Sequence, residues 1–180
     1  MAEKHTLVNP GDDYVTQFGW QTVGSIIDIH AALAADEMDD ATVQALDDDV
    51  KAIYYPLNGT VAAEFRFWSD GADADEAATI EVYAAAAEDY WRHIVQLTVT
   101  IGAAQKGSAT KLFADTIAGT AKWLSTATLV SPTNNQIASW GLNIHGYHGL
   151  LFLASAATMD LDPAVAGVAD DTLWIEARRF

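Results

Sequence analysis

The chain has 180 residues, of which 51% are hydrophobic and 19% charged. That length and balance suit one packed domain and argue against disorder. With no cysteine, disulfides, zinc–thiolate sites and cysteine nucleophiles are excluded. Twenty-five acids against nine bases leave a net charge of −16, which repels nucleic acid and anionic membrane surfaces, so neither is expected as a partner.

Residues 1–20 are polar and turn-rich, with Pro10-Gly11-Asp12-Asp13 as a turn signal, and read as an N-terminal arm or edge segment. Residues 21–180 read as a single β-sandwich domain. The first residues lack the basic-then-apolar pattern of a signal peptide, and no apolar run approaches ~18 residues, so no membrane span is expected. Val23 to Ile29 reads as the first strand. Residues 31–50 are acidic and hold either a short helix from Asp40 to Leu46, capped by Asp39 or Asp40, or a loop with one helical turn. Asp47-Asp48-Asp49 would end such a helix poorly, because three anions crowd the negative end of its dipole.

From Lys51 the signal turns to β. Ala52–Leu57 and Val61–Trp68 flank Asn58-Gly59, the strongest short hairpin signal. In the second run Phe65 and Phe67 share one face, with Glu64, Arg66 and Trp68 on the other. For residues 76–96 a helical stripe competes with two strands turning near Ala87–Asp89. The alternation of Trp91, His93, Val95, Leu97, Val99 and Ile101 against Arg92, Gln96, Thr98 and Thr100 favours strands. Gly102–Ala109 reads as a loop, Lys111–Ile117 as a strand or helical turn, and Ala121–Val130 as a strand. Ile137–Ile144 places Trp140, Leu142 and Ile144 on one face. His145-Gly146-Tyr147-His148-Gly149 breaks that run. Leu150–Ser155, apolar on both faces, reads as a central buried strand, and Leu173–Ala177 as the last one. The fold class is therefore mostly β: an antiparallel β-sandwich, jelly-roll-like, with a short acidic helix or loop near residues 31–50.

Little in the chain has the spacing of catalytic chemistry. No nucleophile elbow and no phosphate-binding glycine loop occurs, and nothing singles out a carboxylate pair. No catalytic residue, cofactor or enzymatic activity is expected. His145 and His148 have metal-ligand spacing for a helix, but their flanking glycines disfavour one. Asp70, Asp73, Asp75 and Glu76 share one loop and are the candidate metal ligands. Calcium is the ion that an acidic, flexible loop would take, although the spacing departs from an EF-hand. Six tryptophans could fill a core and subunit contacts or line a sugar-binding face. Asn58-Gly59-Thr60 matches a glycosylation sequon and is better explained as the turn.

Residues 137–158, IASWGLNIHGYHGLLFLASAAT, and the chain end WIEARRF resemble small structural proteins of tailed bacteriophages, in which a Gly-Tyr step precedes an apolar strand and a last strand closes the chain. FRFWSDGADADEAATIEVYAA and TVTIGAAQKG also resemble them, so the likeness spans residues 50–180. It implies a structural virion protein made in the host cytoplasm. The expected form is a homo-oligomeric, trimeric capsid decoration (cement) subunit, which would contact copies of itself and the major capsid protein or other virion proteins. The alternatives are a tail or neck component and a carbohydrate-binding β-sandwich module. Arg178, Arg179 and Phe180, together with the N-terminal arm, are the candidate contact segments.

Overall fold

The computed structural model describes residues 19–30, 37–48, 52–105, 111–122, 128–130, 137–144, 146–161 and 171–179. Eleven strands and one helix are defined among them: β1 (Gln21–Ile26), β2 (Glu37–Met38), α1 (Asp40–Asp48), β3 (Ala52–Pro56), β4 (Ala62–Ser69), β5 (Ala77–Ala87), β6 (Tyr90–Gln105), β7 (Leu112–Ala121), β8 (Thr128–Val130), β9 (Ser139–Asn143), β10 (Gly149–Ala157) and β11 (Leu173–Arg179). Every ladder is antiparallel. The path runs β1-β11-β4-β7-β6-β5-β10-β3, with β9 also on β4, β8 on β9 and β2 on β6.

One strand joins the two layers of this barrel-like sandwich. The same edge of β4 pairs with β9 over Ala62–Phe65 and with β7 at Trp68–Ser69, so it passes from one layer to the other. The ends of the path, β1 and β3, also approach each other. A Cβ on Gly24 would stand 3.2 Å from two carbons of Ile53. Between the layers lies one core built from alternate residues of nine strands, including Phe65, Phe67, Trp140, Phe152 and Ile175, all fully buried. A second apolar cluster lies outside the sheet. There Val43 and Leu46 of α1, with Met38, cover Tyr83, Ala85, Trp91, Leu151 and Leu153. This explains why β10 is apolar on both faces: one faces the core and the other faces the helix.

The helix forms where the acidic run supplies a cap. Asp39 Oδ1 accepts from Thr42 N at 2.8 Å, and this bonding to Thr42 holds the Asp39 carboxyl below its ordinary value. It runs two residues past Leu46, because its docked face, not its polar C-terminal end, sets its length.

Several sequence expectations need correction. Asn58 and Gly59 do form a tight turn, with φ of 48° and 78° and Thr60 N donating to Leu57 O at 2.9 Å. The strands it joins do not pair with each other, however. β3 pairs with β10, and β4 with β11, β7 and β9. The turn instead crosses between layers, its flanks held by Leu57 N on His148 O and Ile144 N on Val61 O, both 3.0 Å. The loop expected from Gly102 is strand through Gln105. Only a hydrogen fits at Gly102, since a Cβ would stand 2.5 Å from that of Asp115. β1 begins before Val23 and ends at Ile26. The run from Ala121 to Val130 is not one strand: Ala121 ends β7, Thr128–Val130 form β8, and residues 123–127 lie outside the described residues. The turn near Ala87–Asp89, the inward face of Trp140, Leu142 and Ile144, and the two faces of β4 are as expected.

Candidate functional site

Among the sequence candidates, Asp70, Asp73 and Asp75 are exposed and Glu76 is half-buried. The loop is closed by its own backbone. Asp73 N donates to Glu76 Oε2 at 2.8 Å, Ser69 Oγ accepts from Ala72 N at 3.1 Å, and Asp75, at φ 72°, donates its N–H to Ile101 O at 2.8 Å. The Glu76 carboxylate therefore already serves as a turn cap. Among the described residues, no group of three His, Asp or Glu side chains is placed to hold a metal ion. His148 is exposed and its N–H donates to Ala85 O at 3.1 Å, whereas His145, Phe180 and the arm through Phe18 lie outside the described residues.

One pair of buried ionisable groups was not singled out by the sequence. Glu81 of β5 is 1% exposed, and His93 of β6 is 8% exposed. His93 Nε2 lies 2.8 Å from Glu81 Oε2, while Gln96 Nε2 and Ser155 Oγ each donate to Oε1 at 2.7 Å. The His93 ring stacks on Tyr83, with centroids 4.7 Å apart. Two register shifts assemble this cluster. Between Val82 and Tyr83, the facing strand supplies Val95 and then His93, so Ile94 is an extra residue; Ser155 is the extra residue in β10. Because of the first bulge, Ile94 and Val95 both point into the core, and His93 and Gln96 both point outward. The expected alternation, with His93 on the face of Val95, is broken there. Burial works to raise the Glu81 carboxyl, but hydrogen bonds from His93, Gln96 and Ser155, with the His93 charge, outweigh it and hold the group down at about 2. Ser155 donates to the carboxylate and not to the imidazole, so this is not a nucleophile–base pair. What the arrangement does is neutralise an acid inside an apolar layer.

A second constellation occupies the outer face of β4 and β11. Register sets Trp68 opposite Trp174, Arg66 opposite Glu176, and Glu64 opposite Arg178. The two indoles stack at 5.1 Å with planes 7° apart. Arg66 Nε donates to Glu176 Oε2 at 2.5 Å, Trp68 Nε1 donates to Glu176 Oε1 at 3.2 Å, and Arg178 pairs with Glu64, which also accepts from Ser139 Oγ. Trp20 lies over both guanidiniums, at 4.3 Å from Arg66 and 4.9 Å from Arg178. On the β7 side, Phe113 faces Trp68 in register, and Lys111 Nζ sits 3.8 Å from the Trp68 ring centre. The arginine side chains are 20% and 37% exposed and their carboxylate partners 11% and 19%, so the ladder is half open to solvent.

The candidate contact residues Arg178 and Arg179 thus point opposite ways. Arg178 belongs to the outer ladder. Arg179 turns to the sandwich end, where its Nε donates to Tyr55 Oη at 2.6 Å and its Nη2 to Pro56 O at 2.9 Å. Of the tryptophans, Trp68, Trp91 and Trp140 are buried, Trp20 and Trp174 are half-buried, and Trp123 lies outside the described residues. A signal for the ladder was present in the alternation of Glu64, Arg66 and Trp68 and of Trp174, Glu176 and Arg178. Nothing in the sequence told which strands would be neighbours. Compared with protein families, with characterised proteins and with solved structures, the chain matches none.

Proposed function

We propose that this protein is a non-catalytic assembly subunit: a homo-oligomeric structural virion protein of the capsid decoration type, with a tail or neck position as the alternative within that class. The observation that carries the reading is the half-open ladder of β4 and β11. Tryptophans, arginines and a flanking cation on a partly exposed sheet face have the composition of protein–protein contact centres, where tryptophan and arginine supply most of the binding energy. The resemblance of residues 50–180 to small phage structural proteins supports the same class. A subunit repeated on a lattice gains avidity from many modest contacts and needs no reacting group. A sugar-binding module would present coplanar aromatics to solvent. Among the described residues Tyr54, 42% exposed, is the exposed aromatic, and its neighbour Trp91 stands at 71° to it.

The test is light scattering behind size exclusion on the full chain, at low and high salt, with and without EDTA. A defined oligomer, indifferent to EDTA, is the expected result. A monomer at every concentration would overturn the reading.

A further inference from the structure

We propose that Asn58-Gly59 is a self-modifying site in the folded chain, where the asparagine cyclises onto its neighbour's backbone nitrogen and reopens as isoaspartate or aspartate. This chemistry is independent of the assembly reading above.

The reaction takes only water as co-reactant. The Gly59 nitrogen attacks Asn58 Cγ, a C–N bond forms, and the bond from Cγ to Nδ2 breaks. The Gly59 amide proton leaves with Nδ2 as ammonia. The cyclic imide then adds water at either of its carbonyl carbons. Opening at Cγ restores the main chain and leaves aspartate. Opening at the Asn58 backbone carbonyl routes the chain through the side chain, as isoaspartate. The first step needs a free attacking N–H, a free side-chain amide and an unshielded path between them.

The turn supplies each of these. Asn58 and Gly59 are both exposed. Among the described residues, the Gly59 N–H donates to no acceptor and the Asn58 side chain has no hydrogen-bond partner; the turn is closed by Thr60 N on Leu57 O instead. No atom stands within 4 Å of where a Cβ on Gly59 would lie, so nothing shields the nitrogen from that side. The positive φ values of the pair, 48° and 78°, are ones that asparagine and glycine tolerate best. The turn geometry thus selects the residues that leave the path open. A cleft of about 490 Å³, lined by Asn58, Thr60, Tyr147 and His148, admits water beside them. Asn143 is the contrast. It is also exposed, but the N–H that follows it, on Ile144, is held by Val61 O at 3.0 Å, and Ile144 is β-branched and stiff.

The two products differ in effect. Aspartate adds a negative charge and keeps the turn. Isoaspartate also inserts a methylene into the main chain where it crosses between layers, next to Leu57, which is fully buried and tied through its N–H to His148 O.

The experiment holds the full chain at mildly alkaline pH, folded and in urea, and follows each asparagine by peptide mapping with mass spectrometry, with the isomers resolved by chromatography. The expected result is conversion of Asn58 in the folded chain within about tenfold of its rate in urea, since a site exposed only by global unfolding would be slower by about a thousandfold or more. In the folded chain Asn143 should convert at less than about a tenth of the Asn58 rate. Asn58→Gln, which would need a larger ring, should lose the acidic species while circular dichroism shows its fold kept. Asn58 converting in the folded chain more than about tenfold slower than in urea, or not at all, would overturn the proposal. So would Asn143 converting as fast as Asn58.

Discussion

Glu81 shows how a single residue ties this fold to pH. Its carboxyl sits at about 2 when folded, against an ordinary 4.5, so between those values the unfolded chain binds more protons than the folded one. The stabilisation is complete above pH 4.5 and is lost as pH falls through about 2. A shift of that size corresponds to roughly 3 kcal/mol at most. Urea unfolding at stepped pH should show the loss, and Glu81→Gln should be less stable at neutral pH yet show a flatter decline below pH 4.5. A variant curve parallel to wild type would remove Glu81 from the account. His93, Gln96 and Ser155 were not legible as its partners because each is placed by a bulge. Strict alternation put His93 with Val95, and one extra residue, Ile94, reversed that. Gly102 is a second case: a glycine reads locally as a loop signal, but here it marks the close approach of Asp115.

At the scale of elements, α1 depends on its cap and its docked face in different amounts. Asp39→Ala removes the acceptor of the Thr42 N–H at an exposed helix start, where water can replace it, and should lower stability only slightly. Leu46→Ala removes buried area against the sheet, where Leu46 is 6% exposed, and should cost about 2–5 kcal/mol. Both are read by chemical denaturation. If the cap variant cost more than the packing variant, the helix would be held by local propensity and not by its dock. Asp39 or Asp40 as the cap and Asp40 as a helix start were legible, because capping is a local interaction between neighbours in sequence, whereas the choice of helix over loop was not. The turn at Asn58-Gly59 was legible for the same reason. That its strands would join different ladders was not, because the partners of β3 and β4 come from residues about 43 to 116 positions further along the chain.

In the whole molecule, closure of the sandwich falls to contacts between the two ends of the strand path. β11 lies next to β1 at one end, β3 forms the other, and Arg179 joins them through Tyr55 Oη and Pro56 O. Arg179→Ala should therefore destabilise the fold by about 2 kcal/mol, the worth of hydrogen bonds to a charged group, without weakening self-association. Thermal melts and sedimentation on one sample separate the two effects, and loss of association in a folded Arg179→Ala would place this residue at the interface after all. By itself the sequence determined the class of the molecule: mostly β, antiparallel and acidic, with its turns and most of its strand faces, and with helix or loop left open near residues 31–50. These follow from composition, period-two alternation and interactions between residues a few positions apart. Only the tertiary structure decided which strands are neighbours, where bulges reverse a face, and that arginines, carboxylates and tryptophans from distant segments meet in one ladder. Those outcomes depend on long-range register, which many sequences with the same local pattern could satisfy in other ways until the core is packed.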